Sequence, residues 1–164
     1  MREPLCCVIK QSLMETITIE NNQLIEEVKG FLETFPSVVL PVKGVSMLPF
    51  IIGSKESVEL VKWEKRLMIG DIVLAWIKDH YVIHRIISID GDDYTLMGDG
   101  NLVGTESCKR KDIVAKAEYV VDRHGKKHYL YTPRRQQASR LWNRLKPVRR
   151  WILAIYKRTY LKMI

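Results

Sequence analysis

Nowhere in this 164-residue chain do about 18 apolar residues run together, so the sequence offers no membrane-crossing helix. Its three cysteines, Cys6, Cys7 and Cys108, form no CxxC pair and no even framework. That favours reduced thiols in a cytoplasmic setting over a disulfide scaffold. The four histidines, at 80, 84, 124 and 128, lack a cysteine pattern to complete a zinc site, so neither metal nor organic cofactor is expected. His124 and His128 flank "GKK", a hairpin-turn signal, and are not expected to be ligands. The opening residues, "MREPLCCVIKQSLMETITIE", break their short apolar patch at Lys10 and Gln11, which does not fit a secretory leader. Internal repeats and low-complexity linkers are also absent. Acidic residues are missing from 134 to 164, where ten Lys/Arg stand alone. That stretch carries +10 of a formal +8, leaving −2 for the other 133 residues. The basic character belongs to the tail.

What is present suits one globular domain: 46% hydrophobic and 28% charged residues, at a length that supports a real core. In "TIENNQLIEEVKGFLETF", apolar residues fall at Leu24, Ile25, Val28, Phe31, Leu32 and Phe35, the spacing of a one-sided helix that Pro36 closes. Strand-like segments follow: "SVVLPVKGVS", "ESVELVKW", "DIVLAWIK", "YVIHRIISI", "DYTLMGD" and "DIVAKAEYVVD". Turn signals such as "IIGSKES", "MIGD" and "IDGDD" separate them, and "DRHGKKHYLY" reads as a final hairpin. Short strands at close spacing predict a coiled antiparallel sheet or partly open barrel, a mainly β (α+β) fold. After "TPRR" the period becomes helical, with Leu141, Trp142, Leu145, Trp151, Ile152, Ile155, Tyr156 and Tyr160 as a single apolar stripe. Pro147 is expected to split or kink that helix. The predicted organisation is an N-terminal helical segment (1–36), a β-rich domain (37–132) and a basic amphipathic tail (133–164).

Three residues invite a chemical reading. Ser46 sits on the corner "GVSMLPFI", His84 lies inside the strand "YVIHRII", and Asp99 belongs to "LMGDGN". A serine hydroxyl becomes a useful nucleophile when a base takes its proton and a third group orients the base. Strict alternation puts His84 on one face with Val82 and Ile86 and turns Ile83 and Arg85 to the other. Each residue also has a plain structural reading. Ser46 suits a turn, His84 a hydrogen-bonded core imidazole, and Asp99 and Asp71 are ordinary Gly-Asp turn formers.

The order of these segments resembles the signal peptidase I family and its relatives, serine peptidases of the signal-peptidase and SOS-repressor fold. "GVSMLPFI", "GDIVLAW", "YVIHRIISIDGDDYTLMGDGN" and "DIVAKAEYV" follow the family's boxes over about residues 40 to 121. The resemblance implies a sheet of that peptidase type, Ser46 as nucleophile, and the histidine-base subtype with His84 in place of the bacterial lysine. It implies Asp99 as the group that orients His84, Asp71 as a corner holder with Arg85 in support, and an oxyanion and substrate corner at Gly44, Ser46 and Met47. Gly44 replaces a frequent hydroxyl residue, Phe50 a usual Thr, and "GDGN" a usual "GDN". The family's membrane anchor has no counterpart here. A scissile Ala-Gly or Cys-Gly bond upstream of Ser46 is also missing, which disfavours self-cleavage.

These expectations amount to a serine endopeptidase acting on a peptide or protein. The rivals are a catalytically inactive peptide-binding module of the same fold and a nucleic-acid-binding protein that uses its basic tail. The plain reading of the tail is a helix that packs its stripe on the sheet and leaves its charges in water. With aromatics among its cations it also suits the surface of an anionic membrane, better than it suits nucleic acid, and that surface would place the protein on the inner face.

Overall fold

Alternation is incomplete in "DIVLAWIK" and "YVIHRII" because both faces of these strands are covered in the computed structural model, which describes residues 7–10, 16–19, 21–63 and 66–160. Two short strands, β1 (Cys7–Lys10) and β2 (Thr16–Ile19), pair antiparallel ahead of helix α1 (Asn21–Thr34). They were not expected, since the segment 1–36 read only as helical. Then come β3 (Ser37–Pro41), β4 (Ser57–Val61), β5 (Ile72–Ile77), β6 (His80–Asp90), β7 (Asp93–Met97), β8 (Glu106–Lys109), β9 (Ile113–Val121) and β10 (Lys127–Tyr129). Strands β3 to β9 join in the order β3-β4-β9-β5-β6-β7-β8, with β10 on β9, in a curled antiparallel half-barrel. Three helices complete the mainly β architecture.

Helix α1 covers one face of the sheet. Its Leu24, Ile25, Val28 and Leu32 join Leu40, Leu60, Ile72, Leu74 and Ile83 in the larger core. Each such buried aliphatic contributes about 1.5–3 kcal/mol of transfer free energy. Phe35, expected on the same face, lies just past the helix and is 53% exposed. The opposite face holds a second cluster, in which Val73, Ala75, Val82, Ile86, Tyr94, Leu96 and Cys108 pack together. Cys108 is a free thiol there, and burial pushes its pKa up to about 11. Cys6 lies outside the described residues.

The tail forms α2 (Pro133–Arg144) and α3 (Lys146–Tyr160), and the break at Leu145 leaves Pro147 in the first turn of α3, where a missing N–H costs nothing. Thr132 caps α2 by accepting from Arg135 N. The single stripe expected from the sequence divides. Trp142 and Leu153 are buried with Leu48, against Phe50, Ile52 and Tyr156, whereas Leu141, Trp151, Ile152 and Ile155 are exposed. The side chain of Tyr160 lies outside the described residues.

Candidate active site

The corner after β3 is built from backbone turns. Gly44 takes a φ of +85°, which side-chain-bearing residues rarely adopt, and Leu48 N bonds Val45 O while Phe50 N and Ile51 N both bond Met47 O. Met47 and Leu48 are 2% and 1% exposed, one in the large core and the other in the tail cluster. The Met47 side chain is therefore an anchor for the turn. Ser46, between the exposed Val45 and these anchors, is half-buried.

The "GDGN" loop lies directly against this corner. Gly100 N donates to Ser46 O at 2.7 Å. A Cβ on Gly98 would stand 2.5 Å from Ser46 O, and one on Gly100 2.5 Å from Val45 O, closer than real atoms approach. Only glycine at these two positions lets the loop touch the serine's backbone.

His84 comes from the middle of β6, paired with Val73 on β5. It is 6% exposed on the face shared with Val82 and Ile86, as alternation indicates. Ser46 and His84, 38 positions apart in sequence, line one small cavity of about 110 Å³ with Pro41, Val42, Lys43, Tyr81, Val82 and Ile83. The carboxylate on the histidine is Glu106, whose Oε2 lies 2.8 Å from Nδ1. Strand β7 ends at Met97 opposite Arg85, so beside His84 no β7 residue intervenes and the Glu106 side chain reaches across from β8. With Nδ1 on Glu106, Nε2 is the nitrogen left to serve a second group. Burial lowers the His84 pKa below that of an ordinary histidine, and the charge and hydrogen bond of Glu106 oppose this without cancelling it. The imidazole is accordingly neutral at pH 7.

Asp99 has a different duty from the expected one. Its Oδ1 and Oδ2 accept from Arg85 Nε and NH2 at 2.8 and 2.7 Å, a two-pronged buried pair completed by Arg85 NH1 on Gly70 O. Its backbone oxygen accepts from Trp142 Nε1 at 2.7 Å. The assignment of Asp99 as the group that orients His84 is thus corrected: alternation turns Arg85 to the side opposite His84, and the Asp99 carboxylate follows Arg85, while its charge still acts to raise the His84 pKa. Asp71 accepts from Met68 N and pairs with Lys116 at 2.7 Å, which ties the corner before β5 to β9.

Compared with family models and with curated proteins, the chain matches none. The site is therefore described by its own geometry. Glu106 is the residue sequence reasoning missed. "TESCKRKD" has no apolar alternation, because β8 is an edge strand that buries Cys108 alone among its four residues. A carboxylate before a cysteine gave no local sign of facing a histidine 22 positions away. His80, 3.7 Å from Glu106 Oε1 and half-exposed, stands on the outer side of the same carboxylate.

Proposed function

We propose that this protein is a serine endopeptidase of the signal-peptidase-like type, with Ser46 as nucleophile, His84 as general base and Glu106 as the group that orients the base. The observation that carries the reading is the shared cavity: a serine and a buried histidine from distant segments both line it, and one nitrogen of the imidazole is already held by a carboxylate. In this reading His84 Nε2 takes the proton from Ser46 Oγ as the oxygen attacks the scissile carbonyl carbon. The Ser46 N–H is one donor to the resulting oxyanion, a contribution of about 10²–10³ in rate for donors of this kind. His84 then delivers the proton to the departing amine. Water, deprotonated by the same imidazole, attacks the acyl-serine carbonyl, and Ser46 leaves with the proton restored to its oxygen.

A neutral base suits this cycle, and the burial that lowers the His84 pKa supplies it. Asp99 and Arg85 act in it by holding the loop whose Gly100 touches the Ser46 backbone. Labelling with a fluorophosphonate and turnover of a peptide library test the proposal. Ser46→Ala and His84→Ala abolish both while circular dichroism shows that each variant stays folded, with the unfolding midpoint of Ser46→Ala near wild type. Equal turnover by Ser46→Ala refutes it. Tight peptide binding without turnover assigns a binding module instead.

A further inference from the structure

Helix α3 presents two apolar faces, one buried against the body of the protein and one exposed. The docked face carries Leu153, the partly buried Tyr156 and Arg149, which is 2% exposed. Arg149 donates to Asn101 O, Trp142 O and Asn143 Oδ1, so one of the tail's cations is spent inside the fold. The second face carries Val148, Trp151, Ile152 and Ile155, exposed at 44%, 70%, 37% and 64%. Their spacing of three and four makes one stripe, centred roughly a third of a turn round the helix from the docked face. Leu141 on α2 is exposed as well. Arg140, Arg144, Arg150 and Arg158 are exposed on the same two helices, and no acidic residue occurs from 134 onward.

A partner for this face has to be anionic and offer an apolar layer. Phosphates of a nucleic acid would engage the arginines but leave the four apolar side chains in water. A lipid surface meets both demands: acyl chains below the headgroups take the stripe, lipid phosphates take the arginines, and tryptophan is at home at that boundary. No helix among the described residues is long and apolar enough to cross a membrane, so α3 would lie along it.

We propose that α3 docks flat on an anionic lipid surface, seating Val148, Trp151, Ile152 and Ile155 at the boundary between headgroups and acyl chains. Through Arg149 and Trp142 the same tail grips the backbone of Asp99 and Asn101, so docking would hold the Ser46 corner at a fixed height above the lipid. The docking stands whether or not Ser46 is a nucleophile.

The test is co-sedimentation of the full chain with vesicles of phosphatidylcholine mixed with phosphatidylglycerol, against vesicles of phosphatidylcholine alone. Wild type binds the anionic vesicles and binds the neutral ones far less. The triple variant W151S/I152S/I155S loses about 100-fold or more in partitioning, since each substitution removes an apolar side chain that the lipid would take out of water. R158Q, whose side chain flanks the stripe, loses about fivefold and depends less steeply on salt than the wild type. W151F still sediments but lacks most of the blue shift in tryptophan emission that vesicles give the wild type, a readout independent of how the triple variant folds. Absence of binding to anionic vesicles, or an unchanged shift in W151F, overturns the proposal. So does a triple variant that breaks up a dimer while its vesicle binding stays at the wild-type level, because the stripe is then a self-association face.

Discussion

Replacing Asp99 by Ala separates two roles that a carboxylate near a histidine invites. Asp99 and Arg85 are 4% and 8% exposed, and the guanidinium makes three hydrogen bonds at 2.7–2.8 Å, two of them to Asp99. Removing one partner of such a pair leaves a buried charge unpaired, which costs about 3–5 kcal/mol. At about 2–4 °C per kcal/mol for a chain of this size, the unfolding midpoint falls by roughly 6–20 °C. The loss belongs to stability, because His84 is held by Glu106 and not by Asp99. Denaturant unfolding of Asp99→Ala, alongside turnover measured per folded molecule well below the new midpoint, makes the comparison. The expected result is a much weaker fold whose remaining folded fraction works within a few-fold of wild type. Asp99→Asn paired with Arg85→Met, which removes the charge as well, recovers part of the loss. An Asp99→Ala protein that unfolds like wild type but is as inactive as Ser46→Ala would refute the reasoning and return Asp99 to the histidine.

Glu106→Gln reverses that pattern: stability changes little, turnover falls between about 10²- and 10⁴-fold, and the acid limb of kcat/KM moves to lower pH. The sign follows because Glu106 raises the His84 pKa against burial, so its loss lets the value drop further. For the wild type, a His84 pKa lowered in the fold means the unfolded chain binds the proton more readily. Denaturant midpoints therefore decline as pH falls below about 6.5, and His84→Gln removes part of that slope. Gly100→Ala forces a Cβ to within 2.5 Å of Val45 O, and the displaced corner costs about 1–3 kcal/mol and lowers turnover, read by unfolding and peptide assays. Cys108, buried with its thiol pKa pushed up to about 11, resists alkylation at pH 7 in the native protein and reacts on unfolding, as peptide mapping would record.

By itself the sequence determined the elements whose apolar pattern is strong. Leu24, Ile25, Val28 and Leu32 marked α1, the runs around Val73 and Val82 marked the central strands, and the change to helical spacing from Leu141 onward marked the tail. It also singled out Ser46 and His84, because a serine on a glycine-led corner and a histidine inside a strand stand out locally. The tertiary structure decided which carboxylate serves the histidine. Asp99 and Glu106 are both distant along the chain, and the choice rests on where β7 stops and which face Arg85 takes, facts of pairing that no local pattern encodes. It decided likewise which tail residues are core. Helical spacing identifies a stripe, but only contact with Leu48 and the Asp99–Asn101 loop buries Trp142, Arg149 and Leu153 and leaves Trp151 and Ile155 outside. Periodicity is local and partner choice is not, so the helices and strands were legible in the residues while the site and the exposed face emerged only when the chain closed on itself.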